Sequence, residues 1–227
     1  MARDSKLWND ARDVKYRAGE YYWVHQTNWL GEPCLQLPQD LFAMQEIIFK
    51  TRPDYIIEIG TAWGGSLLFY ATLQKALGGK GIIGVDIYIP DDLKERIAAH
   101  GELTRNVVWV EGSSIEELTL QRVQKITGGS QKVLILLDSH HTHDHVLAEL
   151  RLYSPLVGRG NYLICGDTTI AYQPDSKVRN RPWGKGNNPK TALDVFMREN
   201  DRFRVDETID NKLLLTNNPG GYLECIR

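Results

Sequence analysis

The sequence is poor in cysteine, in charge of one sign and in long apolar runs, and each shortage closes a class of function. Three cysteines, Cys34, Cys165 and Cys225, are too few and too scattered for a disulfide framework or a zinc ribbon, so a reducing, cytoplasmic setting is expected. Twenty-seven basic residues against 29 acidic ones leave a net charge of −2, which offers no overall field for nucleic acid or an anionic membrane. No apolar run approaches the roughly 20 residues that cross a bilayer. No apolar stretch follows Met1-Ala2-Arg3-Asp4 either, so neither a membrane span nor a secretory signal is expected. Internal repeats and low-complexity tracts are missing. So are the G-x-G-x-x-G fingerprint of nicotinamide and flavin binding and the H-E-x-x-H pattern of zinc hydrolases.

What remains is an ordinary globular composition, 42% hydrophobic and 25% charged, in 227 residues, enough for one α/β domain with a small cap. Residues 1–38 carry Trp8, Tyr16, Tyr21, Tyr22, Trp23 and Trp29 with little periodicity. They are expected to form an arm that covers the core or shapes an acceptor pocket, with the main domain spanning residues 39–227. Pro38 opens a helix in which Leu41, Met44, Ile47 and Ile48 share a face, and Arg52-Pro53 closes it. Short β-branched runs at 55–59, 81–87, 107–110, 133–137 and 162–165 then alternate with helical stretches at 66–77, 90–100, 115–126 and 142–153. That alternation predicts a doubly wound parallel sheet with helices on both faces. After a long segment at 168–189 come a helix at 191–200 and two runs, 203–207 and 212–216, read as an antiparallel hairpin.

In open parallel sheets ligands bind beyond the carboxyl ends of the strands, near the point where strand order reverses. After the first strand stands Glu58-Ile59-Gly60-Thr61-Ala62-Trp63-Gly64-Gly65-Ser66. Gly60 permits a tight turn and Gly64-Gly65 a close approach to a helix start. The Glu58 carboxylate repels a pyrophosphate but suits a cationic ligand, which favours S-adenosylmethionine, with its sulfonium and amino group, over NAD. Asp86, ending the second strand, is the expected acceptor for ribose hydroxyls. Ser113, after the third, is placed to line an adenine or to cap the next helix.

The fourth and fifth strands end in Asp138-Ser139-His140-His141 and Cys165-Gly166-Asp167-Thr168. Two carboxylates converging from adjacent strands repel, which favours a divalent cation on Asp138 and Asp167. All-oxygen ligation points to Mg²⁺. Such an ion acidifies a coordinated hydroxyl, and His141 is the nearest candidate base. His141 and His145, four apart, also share a helix face, but with no cysteine nearby a zinc pair is the weaker reading. Lys177, Arg179, Arg181 and Lys185 outweigh Asp175 in the 168–189 segment. If that segment is a lid, an acceptor bearing phosphate or carboxylate is favoured.

These residues resemble those of the cephalosporin hydroxylase/rhamnosyl O-methyltransferase family of class I methyltransferases. The resemblance runs from Trp29-Leu30-Gly31 to Asn218-Pro219-Gly220-Gly221, and the stretch from Asp138 to Leu150 is its most specific part. It implies a Rossmann-like fold of seven strands, mostly parallel, closed by a C-terminal antiparallel hairpin. It implies S-adenosylmethionine held by Glu58, Gly60, Thr61, Gly64, Ser66, Asp86, Ser113 and Asp138. A Mg²⁺ site on Asp138, Asp167 and Thr168 follows too, with Asp138 and His141 as catalytic residues, a sugar or small-molecule hydroxyl as acceptor, and a homo-oligomer. Some family members have Glu-Asp where this chain has Gly166-Asp167. One ligand is then missing, with water, substrate or Thr168 filling its place. An alternative is a non-catalytic partner of another biosynthetic enzyme.

Overall fold

The computed structural model describes residues 4–174 and 180–227. Asp175, Lys177 and Arg179, part of the expected basic lid, lie outside the described residues.

The chain begins with helix α1 (Ser5–Gly19), capped by Asp4, whose side chain accepts the Leu7 N–H. A short 3-10 turn follows, then a two-stranded ribbon of β1 (Asn28–Trp29) and β2 (Glu32–Pro33). The arm is therefore partly helical, not irregular. Its helix escapes a periodicity search because the residues it buries are Ala11 and Lys15 rather than a row of large aliphatics.

After α2 (Pro38–Thr51) the expected alternation appears: β3 (Tyr55–Ile59), α3 (Gly65–Leu77), β4 (Gly81–Asp86), α4 (Asp91–Ala98), β5 (Val107–Glu111), α5 (Glu117–Thr127), β6 (Val133–Leu137), α6 (His143–Tyr153), β7 (Tyr162–Cys165) and α7 (Pro189–Glu199). The chain ends with β8 (Phe203–Val205), a single helical turn α8 (Glu207–Asp210) and β9 (Tyr222–Cys225). The seven strands of the main sheet stand in the order β5-β4-β3-β6-β7-β9-β8. The first five are parallel, and β9 runs antiparallel to both of its neighbours. Ile57, Ile59, Ile83, Val85, Ile135 and Leu137 pack one face and Ile56, Ile82, Leu134 and Leu136 the other, which is why the central strands read as unbroken apolar runs.

The closing antiparallel pair is correct in kind but not in its second member. β8 pairs with Tyr222–Cys225, not with residues 212–216. Asp206 takes the N–H groups of Thr208 and Ile209 and starts α8 in place of a tight turn. Asp40 of α2 then claims the Thr216 hydroxyl and the Asn217 N–H, and Leu213 packs against the α2 side of the core. With its polar groups committed elsewhere, 212–216 has no ladder to join.

Candidate functional site

The strand order reverses between β3 and β6, and a cleft of about 1150 Å³ opens there. Drug-sized ligands fill roughly 300–1,000 Å³, so a nucleoside cofactor and part of a second molecule fit together. One wall is the loop 58–66. Gly60 has φ +92°, and a Cβ there would stand 2.2 Å from the Asp138 carbonyl oxygen, so only glycine lets the β3 and β6 ends touch. Gly64, at φ +82°, is crowded by Leu93 and Ile97, and Gly65 by the Pro33 carbonyl. Those two glycines serve helix and ribbon packing as much as ligand approach. The Thr61 N–H and hydroxyl both donate to Asp86 Oδ2, tying the loop to the end of β4.

Glu58 lines this cleft yet is buried, and its Oε2 has no hydrogen-bond partner among the described residues. Burial raises its pKa well above the usual carboxylate range. A Ser66 hydrogen bond opposes the rise, and the charges of Asp138 and Asp86 add to it. An orphaned carboxylate of this kind is a receptor for a cation. Gly60, Thr61, Gly64, Ser66 and Asp138 also line the cleft, whereas Asp86 and Ser113 stand behind its rim. The neighbouring Ser114 points inward instead, to Glu149 Oε1 at 2.5 Å.

Asp138, His141 and Asp167 meet at the opposite wall. One ligand atom from each lies within 4.8 Å of the others, and His141 Nε2 is 3.3 Å from Asp167 Oδ2. Burial, then repulsion from Asp167, pushes the Asp138 carboxyl up to about 7, while His141 and a Gln36 hydrogen bond of 2.8 Å pull it back. Two carboxylates and one imidazole at this separation can converge on a small hard cation. Two expectations change. Thr168 is not at this corner: it is fully buried and its hydroxyl donates to the Pro219 carbonyl at 2.9 Å. Nor does a side chain at 166 fit, since a Cβ on Gly166 would meet the Leu137 carbonyl at 2.6 Å and Asp138 Oδ1 at 3.0 Å. The third group at this corner is His141 instead. The zinc pair is not assembled either, because His145 turns to Glu149, Ser114 and Ser139.

Two contributors were invisible in the sequence, and a third, Trp183, was visible only as part of the 168–189 segment. Gln36 supports Asp138. Lys15 of α1 reaches the cleft wall, donating to Thr169 Oγ1 at 2.9 Å and to the Thr216 carbonyl at 2.8 Å. Trp183 sets its edge against both His140 and His141. Asp4, a helix cap just ahead of Ser5, was the available signal for α1; nothing local marks Gln36 or Lys15. No helix among the described residues is long and apolar enough to cross a membrane.

The family model named Rhamnosyl O-methyltransferase/CmcI matches residues 21–226, beginning just after α1. A rhamnosyl O-methyltransferase of Mycobacterium leprae is 30% identical over 188 residues, covering 82% of this chain and 76% of that protein. One from Mycobacterium bovis is 28% identical over 212 residues, covering 92% and 82%. Among solved structures, a CmcI structure described as holding Mg and SAM aligns at a TM-score of 0.61 with 19% identity, over 89% of this chain and 78% of that one.

Proposed function

Because the chain belongs to the rhamnosyl O-methyltransferase/CmcI family, we propose that it moves a methyl group from S-adenosylmethionine to a hydroxyl of a sugar or small-molecule natural product, with help from Mg²⁺. The observation that carries the reading is the pairing of two features in one cleft: the orphaned Glu58 carboxylate on one wall and the Asp138, His141, Asp167 group on the other. Both fit the groups they would hold. The first answers an ammonium, the second a hard divalent ion.

When bound, the cofactor supplies a methyl group on a positive sulfur and the ion lowers the pKa of an oxygen it touches. The protein does the rest. Gly60, Thr61, Gly64 and Ser66 shape the cofactor wall, with Glu58 facing its cationic part. Asp86 fixes that wall from behind through its two hydrogen bonds from Thr61. Asp138 and Asp167 would hold the ion, beside the place where the acceptor hydroxyl enters the cleft. His141 takes the acceptor proton, and Asp167 Oδ2, 3.3 Å from its Nε2, orients the ring. Fixing the oxygen in line with the methyl group supplies much of the remaining rate. Lys15 and Arg181 on the same cleft suit an acceptor carrying a negative group. That Asp138, His141 and Asp167 meet in one cleft favours a catalyst over a non-catalytic partner.

Titration calorimetry with S-adenosylmethionine tests the reading. Binding in the micromolar range is expected, and none at millimolar cofactor removes it.

A further inference from the structure

Asp167 is not held by its own strand. It follows Gly166, whose missing side chain cannot be restored without striking β6, and it sits in the left-handed region at φ 51°, ψ 26°. A non-glycine residue stays there only when its surroundings impose it. The imposing element is the distant loop 216–221. The Cys165 N–H donates to the Gly221 carbonyl, the Thr168 hydroxyl to the Pro219 carbonyl and the Thr169 N–H to the Asn217 carbonyl. The Asp167 N–H itself donates to a side chain, Asn218 Oδ1, at 3.0 Å.

Asn218 is buried and its orientation is fixed. Its Nδ2 donates to the Tyr222 hydroxyl at 3.4 Å, and that hydroxyl donates to Asp40 Oδ1 at 2.8 Å. Its backbone N–H donates to Thr216 Oγ1, whose own proton also goes to Asp40. With the amide nitrogen turned to Tyr222, the oxygen is left facing Asp167. A relay of buried polar groups thus runs from α2 to the turn that aims the Asp167 carboxylate at Asp138 and His141.

We propose that Asn218 is a positioning residue for the divalent-cation corner, holding Asp167 in the one backbone conformation that completes it. This rests on the reading that Asp138 and Asp167 hold a metal beside His141. The test titrates Mn²⁺ alone, and S-adenosylmethionine alone, into the full chain by calorimetry. Outer partners of metal ligands typically change affinity by about 10–100-fold, so Asn218→Ala is expected to weaken Mn²⁺ about tenfold or more with cofactor affinity unchanged. Asn218→Asp, which keeps an acceptor oxygen in the same place, is expected to recover most of it. Unchanged Mn²⁺ affinity in Asn218→Ala overturns the proposal, as does an equal loss of both ligands. Should Asn218→Ala fail to fold, Asn218→Leu, of similar volume but with no acceptor for the Asp167 N–H, decides: a Mn²⁺ loss of about tenfold with cofactor affinity kept supports the proposal, and unchanged Mn²⁺ affinity overturns it. A wild-type chain that binds cofactor but no Mn²⁺ removes the metal reading and the proposal with it. A wild-type chain that binds Mn²⁺ no better than Asn218→Ala removes the proposal alone.

Discussion

The two walls of the cleft are built by different means. The cofactor wall is backbone geometry: a strand end, a turn at Gly60 and a helix start, all within nine residues of sequence. The proposed metal wall is assembled from four remote places, with Asp138 after β6, Asp167 after β7, Gln36 from the arm and Asn218 from the C-terminal loop. Local construction makes a wall that tolerates change around it but not within it. Distributed construction makes one that can be damaged from far away, and substitution separates the two.

The largest separation is expected from His141→Ala. Loss of a general base typically costs about 10²–10⁴ in rate, so kcat is expected to fall about a thousandfold with cofactor affinity intact. Metal affinity sharpens the assignment. A base leaves the Mn²⁺ dissociation constant near wild type, whereas a ligand raises it in step with the loss of rate. Calorimetry beside initial rates distinguishes the two, and parallel loss moves His141 from proton acceptor to ligand.

Next comes Gly60→Ala, which attacks the point where the walls touch. The added Cβ sits at φ +92° and 2.2 Å from the Asp138 carbonyl. Left-handed strain of about 1–3 kcal/mol plus overpacking of similar size should cost on the order of 3 kcal/mol of stability. It is expected to weaken cofactor and Mn²⁺ together, because moving Gly60 moves Asp138. Denaturant unfolding and the two titrations measure this. Loss of cofactor binding alone shows the walls to be independent.

The same contrast explains what could be read from the sequence. β3, β4, β6 and β7 were legible because a strand buried on both faces admits little but aliphatic residues. That Asp138, His141 and Asp167 meet was legible because the ends of adjacent parallel strands converge on one cleft. The second strand of the closing pair was not. Lys212-Leu213-Leu214-Leu215-Thr216 is the better strand by composition, yet Asp206 and Asp40 capture its flanks, and both act from outside the segment. Thr168 failed for a related reason: its hydroxyl had a partner 51 residues away. Local patterns report what a segment prefers; these outcomes were set by hydrogen bonds between segments that no period connects.

The smallest effect is expected in the arm, at Lys15. Burial lowers its pKa to about 8, with the nearby charges of Asp167 and Asp40 opposing the drop. In the unfolded chain the same ammonium titrates near 10.5. Below pH 8 both states carry the proton, and the fold bears the full cost of burying it. Between pH 8 and 10.5 the folded chain releases the proton while the unfolded chain keeps it, so this residue's contribution to stability rises with pH. Lys15→Met removes the charge and two hydrogen bonds at once, opposing effects that should leave stability at pH 7 within about 1 kcal/mol of wild type. The signature is the difference between the two proteins across pH 7.5 to 10, where tyrosines titrate alike in both and cancel. Wild type should gain on Lys15→Met as pH rises, and a difference that stays flat would mean that Lys15 is solvated and that α1 is not seated on the 168–172 and 216–221 loops. A seated α1 also predicts that the variant binds S-adenosylmethionine as wild type does, since Lys15 touches the loops behind Asp167 and not the Glu58 wall.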